Sequence, residues 1–163
     1  MVEKKRVLLD TNVYSALLEG WEFGLLQAVQ KTDKVAFYGF SVVRDELRRI
    51  SRHKKQAILN YRALALQLYD DIVKGHSFEV TPLIVVLANE YAKEFRGNRA
   101  ARKLRHDFLI VACASFHDLD VLVSDDAKTM FSTAARTTYG SVNKSNQLRT
   151  PHFYGLRELK KLV

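Results

Sequence analysis

The sequence predicts an α/β fold with three layers, in which helices cover both faces of a short, central parallel sheet. Residues 7–9 and Val121–Val123 contain only branched apolar side chains, which is typical of strands buried on both faces of a parallel sheet. Acidic residues follow each stretch, Asp10 directly after the first and Asp125 shortly after the second. Segments with helical spacing of apolar residues lie between the predicted strands, as in folds that alternate the two elements.

The spacing of apolar residues, together with glycine and proline, predicts the elements of the first half. They are a helix over Thr11–Leu18, a helix over 21–30, a strand over 34–38 that ends at Gly39, a helix capped by Ser41, and a long helix over 54–74 that ends at Gly75. We expect the last two helices to form a helical hairpin that reaches away from the sheet.

The second half is predicted in the same way. Its elements are a short extended link over 78–80, a helix over 83–95 opened by Pro82, a loop at Gly97 and Asn98, a helix over 100–116, the strand Val121–Val123, a short helix over 127–134, a polar loop over 136–148, a strand over 150–154 and a helix over Leu156–Leu162. Proline is well tolerated in the first turn of a helix.

Length and composition indicate a single domain over residues 1–163. A chain of 163 residues with 47% hydrophobic content can bury one ordinary core and falls short of two. No apolar run approaches the roughly 18 residues of a membrane span, and the N-terminus lacks the apolar stretch of a signal peptide. We therefore expect a cytoplasmic protein without membrane contact. Cys113 is the lone cysteine, and its apolar surroundings predict a core residue rather than a nucleophile.

The positive charge of the chain favours a polyanionic partner. Lysine and arginine number 26 against 18 acidic residues, a formal net charge of +8. The excess is clustered at residues 4–6, 44–55 and 96–105, where acids are sparse. These clusters indicate contact with nucleic acid, and solvated helix faces are the simpler alternative.

Four acidic positions stand out from this pattern. Asp10 lies at the carboxyl edge of the predicted sheet, where open α/β folds bind ligands, although Asp10 or Thr11 also suits a helix cap. Glu46 lies near the edge of a buried helix face, with a surface pair to Arg44 or Arg49 as the alternative. Asp107 adjoins a core residue, so a cation is needed to satisfy it, either Arg105 or a metal ion. The fourth position is the pair Asp125 and Asp126, which follows the second buried strand.

Taken together, these motifs resemble the PIN domain, most closely the single-domain VapC-type ribonuclease toxins of prokaryotes. The motifs are Leu8-Leu9-Asp10-Thr11-Asn12, Glu46 on an early helix, Asp107 within His-Asp-Phe-Leu-Ile-Val-Ala-Cys-Ala, and Ser124-Asp125-Asp126 after a hydrophobic strand. The resemblance extends from about residue 7 to residue 153. It implies a PIN-like fold and a metal-dependent ribonuclease that leaves a 5′-phosphate and a 3′-hydroxyl.

The resemblance also implies roles for individual residues. Asp10, Glu46, Asp107 and Asp126 match the four catalytic and metal-binding acids. Asp125 occupies the variable position of the Ser-x-Asp pattern and is an additional candidate ligand. Ser124 supplies the hydroxyl of that pattern, and Thr11 or Asn12 is expected to orient Asp10 through a hydrogen bond. Ligands that are all oxygen suit Mg²⁺ or Mn²⁺, and such an ion would keep clustered carboxylates charged.

Three kinds of partner are expected. RNA is the substrate, with its backbone held by basic side chains at Arg44, Arg48, Arg49, Arg102, Lys103 and Arg105. An antitoxin protein is the second partner. A second copy of the chain is the third, because PIN toxins commonly form dimers and because Trp21, Phe23, Leu25 and Leu26 exceed what one helix face normally buries. The alternative is that Trp21 packs on the long hairpin helix.

Other functions remain open at this point. A housekeeping RNA-processing nuclease would use the same acids, and an adjacent antitoxin gene would separate it from a toxin. A binding module without catalytic activity would use the basic rim alone. The five histidines show no metal-binding spacing, so His106 is assigned to the surface although it adjoins Asp107.

Overall fold

The computed structural model describes residues 3–50 and 60–163. Within these residues the strands form a five-stranded parallel sheet with the order β3-β2-β1-β4-β5. The strands are β1 Lys5–Leu9, β2 Val35–Phe40, β3 Ser77–Phe78, β4 Val121–Val123 and β5 His152–Tyr154. The helices are α1 Thr11–Leu18, α2 Leu25–Lys31, α3 Ser41–Arg48, α4 Tyr61–Val73, α5 Pro82–Glu94, α6 Arg105–Phe116, α7 Thr133–Ser145 and α8 Leu156–Leu162.

Strand β1 lies at the centre of the sheet, between β2 and β4. Leu8 pairs with Tyr38 on one side and with Leu122 on the other. The apolar residues of β1 and β4 are fully buried, as predicted for strands covered on both faces. The chain leaves β1 toward β2 and later returns to β4 on the opposite side. The strand order therefore reverses at β1 and β4, where α/β folds form their ligand crevices.

Helices cover both faces of this sheet, which confirms the predicted α/β architecture. A side chain at Gly39 would point at Tyr69 and Val73 of α4, so α4 covers that face. Ser77, paired with Gly39, hydrogen-bonds Tyr69 at 2.9 Å. The next residue of β3, Phe78, points to the opposite face and stacks on His117 at the end of α6, with 3.6 Å between ring centroids.

Gly39 does not end the second strand, contrary to the prediction. Strand β2 continues through Gly39 to Phe40, and Phe40 is the cap of α3, whose first residue is Ser41. A Cβ at position 39 would overlap the Tyr69 side chain. Glycine is needed here for the close approach of α4, rather than for a turn.

The prediction for residues 127–148 was also wrong. A short helix over 127–134 and a polar loop over 136–148 were expected, whereas residues 127–131 form turns and α7 occupies Thr133–Ser145. The buried face of α7 includes Thr138 and Asn143. Asn143 is satisfied by Ser115, Tyr91 and Thr150. Polar residues that indicate a loop in the sequence thus face the core with their hydrogen bonds made.

The remaining differences concern boundaries. Helix α2 starts at Leu25 rather than at residue 21, after Gly24 with a positive φ of 82°. The predicted link over 78–80 shares only Phe78 with the edge strand β3, Ser77–Phe78. A 3₁₀ turn at Ala101–Leu104 precedes α6. Residues 54–59 of the predicted long helix lie outside the described residues. The described part of that helix, α4, packs against α3 as expected for the hairpin. The prediction that the hairpin reaches away from the sheet was wrong, because Tyr69 and Val73 of α4 lie against Gly39 of β2. Helix α4 ends at Lys74 and Gly75, both with positive φ.

Two composition-based predictions concern the core and the membrane. Cys113 is fully buried, and its burial raises the pKa of the thiol well above its usual value. It is a core residue, as predicted. Among the described residues, no helix has the length and apolar character needed to span a bilayer.

Candidate active site

Asp10 lies at the carboxyl end of β1 and serves both roles considered for it. Its carboxylate accepts a hydrogen bond from the Thr11 amide at 2.7 Å and so caps α1. Its other oxygen accepts a hydrogen bond from the Ser124 hydroxyl at 2.7 Å. The residue is 6% exposed. Asp10 is therefore a helix cap and also a buried acid at the strand crossover.

The surroundings of Asp10 favour its neutral form. Burial is the largest effect and raises its pKa to about 6, against the lowering effect of the bonds from Ser124 and Thr11. The negative charges of Glu46 and Asp126 raise it further. Because these charges act on Asp10, the acids of α3 and of the loop after β4 lie close to the end of β1.

Asp107, in the first turn of α6, is perturbed more strongly. Burial raises its pKa to about 7, and the charges of Asp10, Asp126 and Glu46 add to this. The hydrogen bond recorded for its carboxylate comes from the Thr129 hydroxyl, and it is long at 3.5 Å. No salt bridge joins Arg105 to Asp107 within residues 3–50 and 60–163. The sequence predicts that either Arg105 or a metal ion neutralises Asp107, and Arg105 does not do so.

Glu46 is held by two partners, and neither is the arginine considered for it. The Thr11 hydroxyl donates to one carboxylate oxygen, and His106 Nδ1 lies 2.7 Å from the other. Thr11 thus bonds Asp10 through its amide and Glu46 through its hydroxyl. His106, assigned to the surface from sequence, is 47% exposed in its side chain and contacts this acid. Its place beside Asp107 in the sequence was the available signal.

The loop after β4 connects the acids to the crossover. Ser124 Oγ accepts a hydrogen bond from the Asp126 amide at 3.1 Å while donating to Asp10. The Asn12 side-chain amide donates to Ser124 Oγ at 3.2 Å, and its oxygen accepts from the Asp125 amide at 3.0 Å. The predicted orienting residues Thr11, Asn12 and Ser124 therefore all contact this cluster. Asp125 is exposed, and its backbone rather than its carboxylate makes the recorded contact.

Thr129 is a residue of this site that sequence reasoning missed. Its hydroxyl contacts both Asp107, at 3.5 Å, and Asp126. Its amide and that of Lys128 donate to Asp126 Oδ1, at 2.9 and 3.1 Å. An aspartate that accepts bonds from the backbone amides just after it is a common turn signal, and it points to Asp126 rather than to Thr129. The resemblance to PIN motifs did not include that position.

The donor set suits a hard divalent cation, although the carboxylates are not arranged as a finished coordination shell. Among residues 3–50 and 60–163, no group of three or more His, Cys, Asp or Glu side chains is placed to hold an ion as it stands. Each acid is instead held by nearby donors such as Thr11, Ser124 and Thr129. The ligands are oxygens, which suit Mg²⁺ or Mn²⁺. Burial and then mutual repulsion raise the pKa of Asp10 and Asp107, and a bound cation would offset both effects.

The predicted RNA contacts divide into two groups. Arg44 is paired with Asp70 through two hydrogen bonds, at 3.1 and 3.0 Å, and Arg48 with Asp45 at 3.1 Å. Within the described residues, the other predicted contacts are exposed and have no acidic partner; they are Arg49, Arg102, Lys103 and Arg105. The second group is therefore free for a polyanion, whereas Arg44 and Arg48 are already neutralised.

The apolar surplus near α2 is smaller than predicted. Trp21 is 45% exposed and Phe23 is fully exposed. Leu25 is buried, and Leu26 packs against the core. Two of the four residues thus remain as exposed apolar surface.

The strand order, the crossover at β1 and β4, and the acids at the carboxyl edge define a PIN-like α/β fold. No family model matches the sequence, and no curated protein matches it. Among solved structures the chain is similar to VapBC2 from Rickettsia felis, determined bound to a DNA fragment from their promoter. That similarity has a TM-score of 0.53 at 15% sequence identity and covers 92% of this chain and 98% of the other. At this identity the likeness establishes the fold alone.

Proposed function

We propose that the protein is an endoribonuclease that depends on Mg²⁺ or Mn²⁺ and acts as the toxin of a toxin-antitoxin pair. The observation that carries the proposal is a set of hydroxyl contacts that links the four acids. Thr11 joins Asp10 to Glu46, Ser124 joins Asp10 to the Asp126 amide, and Thr129 joins Asp126 to Asp107. Burial, and after it the charges of the other three acids, raises the pKa of Asp107. Acids from four separate parts of the chain are brought together without a neutralising lysine or arginine among the described residues. Such an arrangement costs stability, and a bound divalent cation offsets that cost.

The proposal gives each acid a role. Asp10, Asp107 and Asp126 would hold the ion, with Glu46 as the fourth acid. The ion, when bound, lowers the pKa of an attacking water and stabilises negative charge on the phosphodiester and the leaving 3′ oxygen. Ser124 orients Asp10, and Thr11 orients both Asp10 and Glu46 through the hydrogen bonds described above. Arg49, Arg102, Lys103 and Arg105 would hold the RNA backbone.

The assignment as a toxin rests on the fold and on the name of the similar structure. The similar structure is VapBC2 bound to a DNA fragment from their promoter, and its likeness to this chain supports an antitoxin as partner. A housekeeping nuclease would show the same chemistry. Co-purification of the chain with the product of an adjacent small gene, and loss of RNA cleavage in that complex, would support the toxin.

A direct test is incubation with mixed cellular RNA, with and without Mg²⁺ or Mn²⁺, followed by mapping of the cut ends. We expect cleavage only with metal, leaving 5′-phosphate and 3′-hydroxyl ends. Thermal unfolding with increasing Mn²⁺ gives a second readout, because an ion at a hundred times its Kd stabilises a fold by about 2.7 kcal/mol. RNA binding with neither stabilisation by metal nor cleavage would favour the binding module instead.

The homodimer stays a prediction, supported by the exposed side chains of Trp21 and Phe23. Light scattering of the purified chain without antitoxin tests it. A dimeric mass that becomes monomeric in the double variant Trp21→Ser and Phe23→Ser is the expected result. A monomeric mass for the unmodified chain would contradict the dimer.

A further inference from the structure

A cavity of about 290 Å³ lies beside the acidic crevice. Thr129 forms part of its wall, and the hydroxyl of Thr129 contacts the carboxylates of Asp107 and Asp126. The cavity is therefore separated from the acids by one side chain. A ligand that extends from the acids past Thr129 would enter it.

The floor of this cavity is apolar and well supported. Phe95 and Leu104 line it and are 9% and 3% exposed. The Phe95 ring packs edge-on against Phe108, with 5.6 Å between centroids. Gly97 lies directly on Phe95, since a Cβ at that position would overlap the ring. The floor is thus a preformed surface that does not depend on a ligand for its shape.

The rim of the cavity is cationic. It carries Arg96, Arg99 and Lys128. Arg96 is anchored by donating to the carbonyl oxygens of Lys93 and Phe95, at 2.8 and 3.2 Å. Arg99 and Lys128 are exposed, and neither has an acidic side chain in salt-bridge range in the described part of the chain. Their charges are available to an anion.

We propose that this cavity binds one nucleotide of the RNA, next to the phosphodiester at the acids, an inference that rests on the proposed ribonuclease function. The base and ribose contact the small exposed parts of Phe95 and Leu104, and a backbone phosphate lies between Arg99 and Lys128. The volume falls just below the range of about 300–1,000 Å³ for small-molecule pockets, which suits one nucleotide rather than a longer segment. Apolar contact for the base and positive charge for the phosphate are the two usual means of binding single strands.

The test measures binding without cleavage. A fluorescein-labelled single-stranded RNA of about eight nucleotides is titrated with protein in EDTA, and its anisotropy is followed. The double variant Arg99→Ala and Lys128→Ala is compared with a matched control, Arg157→Ala and Lys161→Ala, which removes the same charges from exposed positions on α8. The cavity variant should bind about tenfold more weakly at low salt, with a salt slope smaller by about 0.7 for each lost phosphate contact. The control should change far less.

A second set of oligonucleotides locates the phosphate. In each, one backbone phosphate is replaced by a neutral methylphosphonate. For the unmodified protein, one position should weaken binding more than the others, and at that position the cavity variant should show no additional loss. Equal losses in the cavity and control variants, or additive losses at every position, would overturn the inference.

The outcomes separate this inference from the proposed function. If the unmodified chain cleaves RNA with metal while the cavity variant binds and cleaves like the control, the nucleotide site is wrong and the nuclease stands. If the cavity variant loses binding at one phosphate but no metal supports cleavage, the nucleotide site stands and the nuclease is wrong. Absence of RNA binding by the unmodified chain counts against the nucleotide site.

Discussion

Acidic residues lie at both ends of the sheet, at the amino ends and at the carboxyl ends of its strands. Only those at the amino ends are paired with arginines among the described residues. At the amino edge, Arg149 donates to Asp118 at 2.7 Å and to Asp120 at 2.9 Å. The Arg6 amide donates to the Asp120 carboxylate at 2.8 Å. Burial alone would raise the pKa of Asp120, but these hydrogen bonds and the charges of both arginines lower it overall. The amino edge is a neutralised ion network.

At the carboxyl edge, acids meet other acids. Burial and the neighbouring carboxylates raise the pKa of Asp10 to about 6 and that of Asp107 to about 7. In residues 3–50 and 60–163, the recorded cation-type partner in this cluster is His106 at Glu46. The same sheet therefore has carboxylates paired with arginines at its amino edge and carboxylates without such a partner, among the described residues, at its carboxyl edge. The comparison shows that the fold can neutralise acids at a sheet edge, so the uncompensated edge is best explained by a function.

The largest expected effect follows from removing charge at the uncompensated edge. Asp10→Asn keeps the shape of the side chain and removes a charge that supports ion binding. Loss of several kcal/mol of transition-state stabilisation predicts a fall in RNA cleavage of at least about a thousandfold. The fold should be unchanged or slightly more stable in EDTA, since carboxylate repulsion is relieved. Initial rates with Mn²⁺ measure the effect, and Asp125→Asn is the control. Cleavage by the Asp10 variant at the unmodified rate contradicts the assignment.

The second expected effect is a pH dependence with opposite signs at the two edges. Asp10 and Asp107 have folded-state pKa values above the usual 3.8. The stability they contribute is complete below about pH 4 and is lost as the pH rises through about 6 and 7. Asp120 has a lowered pKa, so its contribution is present above about pH 4 and is lost as the pH falls.

Urea unfolding in EDTA across this range measures the dependence. The loss between about pH 5 and pH 8 should be on the order of a few kcal/mol. It should be smaller in Asp10→Asn, and Mn²⁺ at saturating concentration should remove it. The same pH dependence in the unmodified chain and in Asp10→Asn would contradict the raised pKa of the crevice acids.

A smaller effect is expected at Thr129, whose hydroxyl holds two acids of the crevice. Thr129→Val preserves shape and removes the bonds to Asp107 and Asp126. Loss of a residue that orients metal ligands typically weakens metal binding about 10- to 100-fold, and we expect the lower end. Calorimetric titration with Mn²⁺ measures it. Thr137→Val on α7, which removes a hydroxyl bonded to the Thr133 carbonyl, should leave the affinity unchanged.

The smallest expected effect is on the unfolding free energy, when Arg149 is removed from the amino edge of the sheet. Arg149→Ala removes the bonds to Asp118 and Asp120 from a side chain that is 45% exposed. Exposed ion pairs contribute about 0–1 kcal/mol each, so the unfolding free energy should fall by roughly 1 kcal/mol. RNA cleavage and Mn²⁺ affinity should stay the same. A loss of metal affinity in this variant would show that the two edges are coupled.

Much of the site was predictable because its acids follow local signals. The buried runs at β1 and β4 end in acids, and strands of this kind meet at one edge of a parallel sheet. The strand ends predict that Asp10 and Asp126 share one crevice, and the acids beside buried helix faces, Glu46 and Asp107, are predicted to join them. Burial is the main cause of the raised pKa of Asp10 and Asp107, and the charges of Glu46 and Asp126 raise both further.

Other features depend on contacts between distant residues, and sequence reasoning did not find them. The identity of α7 as a helix depends on Asn143 meeting Tyr91 and Ser115. Gly39 lies within β2 because it pairs with Ser77 of β3, and it is a glycine because Tyr69 of α4 leaves no room for a Cβ. Local propensity favours a loop in the first case and a strand end in the second, and tertiary packing overrides both.

The sequence by itself determined the central strands β1 and β4, most helices and the acids at the strand ends, because apolar spacing and strand length are local properties of the chain. Only the tertiary structure decided which charges are compensated. Arg44 forms an ion pair with Asp70, and His106 contacts Glu46. Asp107 accepts a hydrogen bond from Thr129 and forms no salt bridge with Arg105. The physical reason is that Coulomb energy depends on distance in space and on burial, and spacing along the chain specifies neither.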